Sequence, residues 1–316
     1  MTVDARFASL ADAGVDFEVV TFASANPVNF HEAINGTPAA IDIDGALVMP
    51  RGSAPHPAVV IVPGSAGVSP NHVRHAVTLV REGCAVLLVD PFTARSVTST
   101  VGNQTQYSFA ASAYDVLAAL RFMTHDARID PLRISAQGHS RGGTAVIHAS
   151  MRVLAETVVG DRSFAGVYAA YPWCGQQFLF PDVGDTVVRT IIGDRDEWCS
   201  AAMAQTQMHA ITVAGGQASM RIVAGAHHSF DRHEDVSLVE EARVSPNAPV
   251  EFVADDGSMI DPVTGLADPS RRDIDQFRYA VEAGYGQKGA RMGGAAGLPE
   301  LFDADMLEFH RTVFAD

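Results

Sequence analysis

The chain has 316 residues, 47% of them apolar and only 19% charged, so a large core is available and one globular domain over 1–316 is expected. Its formal charge of −15 opposes binding to phosphate backbones or anionic lipid surfaces, which argues against nucleic acid or membrane as partner. No stretch approaches the roughly 18 apolar residues of a membrane span. The start, MTVDARFASLADAGVDF, lacks a basic segment followed by an apolar run, and three cysteines, Cys84, Cys174 and Cys199, fit a reducing, cytoplasmic setting.

In chain order, FEVVTF (17–22) and AIDIDGALVMP (40–50) read as antiparallel edge strands of an N-terminal segment 1–57, the second broken by a DG turn or bulge. From Ala58 onward short apolar runs alternate with amphipathic stretches. The runs are AVVIVP (58–63), AVLLVD (85–90), RISAQG (133–138), FAGVYAAY (164–171), VVRTIIG (187–193) and SMRIVAG (219–225). Helical spacing occupies 71–82, 107–125, 141–157 and 200–213. This is the pattern of parallel strands joined by crossover helices and covered on both faces, an α/β architecture. Residues 231–300 break the rhythm with Pro246, Pro249, Pro262, Pro269 and Pro299 around one helix-like piece, RRDIDQFRYAVEAG. That insertion is expected to cap the active-site mouth or to make a subunit contact in a homo-oligomer. The closing LFDADMLEFHRTVFAD reads as a final helix on the sheet.

The decisive feature is Gly138-His139-Ser140-Arg141-Gly142, a G-x-S-x-G between a predicted strand and a predicted helix. A nucleophile on such a turn sits at a helix N-terminus, where the dipole and the N–H of Arg141 face a developing oxyanion. Glycines on either side leave room for strand and helix to approach. An ordinary Gly-rich turn with Ser140 as N-cap is the competing reading, and it weakens because partners follow in the order that an α/β-hydrolase fold requires. Asp196, in GDRDEW after strand 187–193, is preferred over Asp194 and Glu197 as the acid that orients an imidazole. In GAHHSFDRH either His227 or His228 could be the base. The small-residue loop Pro63-Gly64-Ser65-Ala66-Gly67 is placed to supply a second oxyanion N–H, from Ser65. Trp173, Cys174 and Trp198 stand at strand ends, where they are either pocket lining or core plugs. His227, His228, Asp231, His233 and Glu234 cluster in sequence, but their spacing fits no metal motif, and no metal or cofactor is expected.

The phrases YDVLAALRF, RIDPLRISAQGHSRGG, AYPWC, GDRDEW and GAHHSF resemble the dienelactone hydrolase-like branch of the α/β-hydrolase superfamily over about residues 40–230. The resemblance implies that fold, a base at His228 from the pattern G-A-x-H-x-F, and the acid at Asp196. One departure stands out: dienelactone hydrolase carries cysteine at the elbow, and position 140 here is serine. The expectation is therefore a serine esterase acting on a small-molecule carboxylic ester. Its rivals are perhydrolysis or lyase chemistry on the same residues, and a non-catalytic binding module.

Overall fold

The computed structural model describes residues 5–315. Its centre is an eight-stranded sheet: β1 (Glu18–Ala25), β2 (Ala40–Val48), β3 (His56–Val62), β4 (Ala85–Asp90), β5 (Ile129–His139), β6 (Gly166–Ala170), β7 (Val187–Gly193) and β8 (Ala218–Val223). The order is β1-β2-β4-β3-β5-β6-β7-β8. β2 runs antiparallel to both of its neighbours, β1 and β4, and the six strands from β3 onward are parallel. β3 and β4 are buried along almost their whole length, as expected of strands covered on both faces by helices. Each of the expected core strands forms, with ends shifted by a few residues.

Two local expectations are corrected. Asp44-Gly45 is neither turn nor bulge: β2 pairs in unbroken register with β1 on one side and β4 on the other. The glycine serves close approach instead, since a Cβ there would lie 2.8 Å from Leu87 Cδ1 and 3.1 Å from the Leu88 carbonyl. The helix expected over 141–157 is two, Arg141–Ala149 and Arg152–Val159, separated by Ser150 and an extended Met151. The break has a side-chain and a backbone component: Ser150 Oγ donates to the Ile147 carbonyl at 2.7 Å, and Arg152 N–H turns to the Asp182 carbonyl at 2.8 Å.

Topology places the site. From β3 the chain passes to β4 on one side, then returns to β5 on the other, so the loops after β3 and β5 diverge and leave a crevice at their carboxyl ends. Ser65 follows β3 and Ser140 follows β5. Residues 231–300 build a flanking layer beside this crevice. Ser237–Val244 pairs with Gln287–Met292, three short strands join Gln176–Phe178 in a small sheet, and Asp273–Glu282 is helical. Among the described residues no helix is long and apolar enough to cross a membrane.

The last helix, Leu298–Ala315, is fastened to three strands through Asp305. Its carboxylate accepts from Tyr168 Oη (3.0 Å) in β6, from Arg189 (2.8 and 2.6 Å) in β7 and from Arg221 (2.8 Å) in β8. Burial raises the Asp305 carboxyl, but these donors outweigh it and hold the pKa below the usual carboxylate value. Asp305→Ala is expected to cost about 2–3 kcal/mol, less than a fully buried pair because both arginines reach solvent. Urea unfolding checks this; an unchanged midpoint would contradict it.

Candidate active site

The elbow is made by main chain. Ser140 has φ 55° and ψ −115°, a conformation rare for a residue with a side chain. Its N–H is tied to the Ala170 carbonyl at 2.9 Å, and its own carbonyl accepts from Thr144 N–H at 3.0 Å as the helix begins. A Cβ at Gly138 would lie 2.0 Å from the Gly142 carbonyl oxygen, and one at Gly142 would lie 2.3 Å from that of Val62. No side chain fits at either position, so the motif is a steric requirement.

Three of the residues singled out in the sequence are brought into one hydrogen-bonded line. Ser140 Oγ lies 2.9 Å from His228 Nε2, and His228 Nδ1 lies 2.7 Å from Asp196 Oδ2. The other oxygen, Asp196 Oδ1, accepts from the N–H groups of Trp198 (2.8 Å) and Cys199 (2.9 Å). Both carboxylate oxygens are therefore assigned, and Nδ1 must carry the proton that Oδ2 accepts. Nε2 is left as an acceptor facing the serine hydroxyl. The imidazole is held between the stacked Trp198 ring at 5.2 Å and the edge-on Tyr171 ring at 4.7 Å. An arrangement of this kind can take a hydroxyl proton and later return it. The alternatives lie elsewhere: Asp194 accepts from Gly225 N–H, Glu197 pairs with Arg291 at 2.9 Å, and His227 makes neither contact.

The two backbone donors expected at the oxyanion position, on Ser65 and Arg141, both border the same cavity as Ser140. The Ser65 carbonyl is drawn away by Thr100 N–H (2.8 Å) and Ser99 Oγ (3.2 Å), and Gln104 Nε2 donates to its hydroxyl at 3.0 Å. That peptide is thus fixed. The buried Arg141 side chain donates to the Gln104 carbonyl (2.9 Å) and the Tyr107 carbonyl (2.6 Å), and lies over the Tyr107 and Phe109 rings. It braces the cavity wall from behind.

That cavity measures about 40 Å³. Trp173 and Trp198 border it as expected; Cys174 does not, and Cys199 takes the place. Cys174 is buried one residue behind Trp173, its thiol pushed up to about 12 by burial. Burial, and then the Asp196 charge, raise the Cys199 thiol well above its ordinary value, so neither is a thiolate near neutrality. Sequence reasoning missed Phe109 and Phe277, which stack on Trp173 at 4.7 and 5.8 Å, and Arg243, Val244 and Ser245. Four of these five come from the insertion, and no local pattern in it signals the cavity.

The sequence cluster around His228 is dispersed. His233 and Glu234 are exposed, whereas Asp231 turns inward to accept from Tyr171 Oη (2.8 Å) and Asn71 Nδ2 (2.7 Å). It comes within 3.6 Å of His75 and 3.8 Å of His139. The group does not suit a cation, because the Arg74 guanidinium stands 3.0 Å from His75 Nε2. Burial opposes the Asp231 charge, but His75, Asn71 and Tyr171 prevail and lower its pKa. Burial and His75 hold His139 far below the usual histidine value, so it stays neutral.

A model of the dienelactone hydrolase family matches residues 43–250. The chain belongs to that family. It is therefore a member of a family of hydrolases within the α/β-hydrolase superfamily. A search of curated proteins finds no match. Among solved structures it is similar to one named for dienelactone hydrolase from Klebsiella pneumoniae, at 14% identity and TM-score 0.50, covering 68% of this chain and 89% of that one. Another, called m3DLH, has 16% identity and TM-score 0.51, covering 67% and 85%. A third, the esterase Est22, has 15% identity and TM-score 0.49, covering 72% and 79%. The first two share the α/β-hydrolase fold with this chain, and the family match ends at residue 250, inside the insertion.

Proposed function

We propose that this family member is a serine hydrolase that cleaves carboxylic esters by two-step acyl transfer. The observation that carries the reading is the line from Ser140 Oγ through His228 to Asp196, at 2.9 and 2.7 Å. His228 Nε2 accepts the Ser140 proton as Oγ adds to the ester carbonyl, and the N–H groups of Ser65 and Arg141 receive the oxyanion. The intermediate collapses, the acyl C–O bond breaks, and the alcohol leaves with the proton from His228. Water then repeats the cycle on the acyl-enzyme, releasing the acid and restoring the Ser140 hydroxyl. Phe109, Trp173 and Phe277 make the cavity beside Ser140 apolar, which suits an acyl group. The three unpaired cysteines support a cytoplasmic setting.

A fluorophosphonate probe tests the reading directly. Peptide mass spectrometry should find one adduct, on Ser140, absent from Ser140→Ala. A folded sample that remains unlabelled would count against an activated serine.

A further inference from the structure

A second cavity, of about 30 Å³, also touches Ser140. It shares Ser65, Ser140 and Trp198 with the first, but Asn71, His72, His228 and Arg232 replace the aromatic walls. Three of these side chains carry a buried polar atom that no protein atom bonds: Asn71 Oδ1, His72 Nε2 and Arg232 Nε. Buried polar atoms are rarely left so, and three on residues that line one small space point to a polar ligand.

The opposite end of each side chain sets what that ligand must be. Asn71 Nδ2 donates to Asp231 Oδ2 at 2.7 Å, so the amide turns its oxygen, an acceptor, to the free side. His72 Nδ1 accepts from Ser69 N–H at 3.0 Å, which puts the ring proton on Nε2 and makes it a donor. Burial, with His139 beside it, keeps that ring neutral. Arg232 Nε–H is a second donor. Two donors and one acceptor suit a hydroxyl, whose oxygen accepts twice and whose proton goes to Asn71. A carboxylate would set lone pairs against Asn71 Oδ1, and an alkyl group would leave all three atoms unpaired. A water-sized group takes about 10–15 Å³ on this measure, so the space holds about two heavy-atom positions, the size of a CH2–OH group.

His228 borders this cavity and not the aromatic one. In ester cleavage the leaving oxygen receives its proton from the imidazole, so the alcohol must lie on the His228 side. We propose that this cavity is the leaving-group subsite and that the substrate is an ester of a short hydroxylated alcohol, its free hydroxyl held by Asn71, His72 and Arg232. The proposal rests on the ester-hydrolase reading above. In the second half-reaction, water approaches from the same side.

The test is a matched pair of esters with one acyl group, 2-hydroxyethyl butanoate and propyl butanoate, together with carboxymethyl butanoate. Each kcat/KM is divided by the hydroxide-catalysed rate of that ester. The hydroxyethyl ester should be preferred over the propyl ester by at least about tenfold. In His72→Phe and in Arg232→Met the preference should fall to within about twofold. The ratio is internal to each preparation, so it does not depend on the fraction folded. A wild-type ratio near one, a ratio unmoved in both variants, or faster turnover of the carboxymethyl ester would overturn the subsite. So would labelling of Ser140 by the fluorophosphonate with neither neutral ester turned over. If Ser140 is not labelled and no ester is cleaved, the hydrolase reading falls and takes the subsite with it.

Discussion

Replacing Ser140 by alanine is expected to lower kcat/KM on a short-chain aryl ester by about 10⁴–10⁶-fold while the protein stays folded. The size follows from what is removed. Without Oγ no acyl-enzyme forms, and the imidazole, still held by Asp196, has no hydroxyl to deprotonate. What remains is binding and the two backbone donors, which alone supply a modest rate over water. The fold should survive because the strained φ of 55° at position 140 is enforced by contacts that alanine keeps, such as the N–H bond to Ala170. Steady-state kinetics beside a thermal melt make the measurement. Wild-type turnover in the variant would end the assignment.

Asp196→Asn should lower kcat by about 10⁴-fold, and the reason lies in the hydrogen-bond bookkeeping around one carboxylate. Oδ1 accepts from two backbone N–H groups, at Trp198 and Cys199. An asparagine must keep its carbonyl oxygen there, so its NH2 is turned toward His228 Nδ1. That nitrogen would then have to accept, the ring proton would move to Nε2, and the atom facing Ser140 would become a donor. The geometry survives while the base is lost. Kinetics should show the fall in kcat with KM changed by no more than a few-fold. An equal fall in Asp194→Asn, with little change in Asp196→Asn, would shift the acid to the neighbouring residue.

How far the sequence foretold the molecule depends on the range over which each feature is encoded. The parallel core was legible because each strand and helix carries its own periodicity. The elbow was legible because its steric demand falls on residues two apart from Ser140. Asp196 could be preferred because it lies in the turn just beyond a strand that the alternation implies, whereas the strand before His227 and His228 left both open and only the family resemblance separated them. What escaped was set by contacts between distant segments. Gly45 resembles a turn residue until Leu87 is seen against it. Cys174 and Cys199 both follow strands closely, and which one meets the cavity depends on how two loops cross. Phe277 sits in the one piece of the insertion with helical spacing and Arg243 in a stretch with little pattern, and in neither does anything local mark which cavity the side chain reaches. Asp231 looked like a companion of His233 and Glu234, yet it turns to the core because Tyr171 and Asn71, far off in sequence, supply its donors.

The close approach of Gly142 to the Val62 carbonyl separates two kinds of information in this protein. The positions of Ser140 and of the strand that leads to Ser65 are fixed against each other by main chain on main chain. The walls of the cavities beside Ser140 are drawn from side chains and from a late insertion. Selection could therefore reshape what is admitted, by substitutions at Phe277, His72 or Arg232, without moving the reacting atoms, whereas a single methyl group added at position 142 would displace both partners at once.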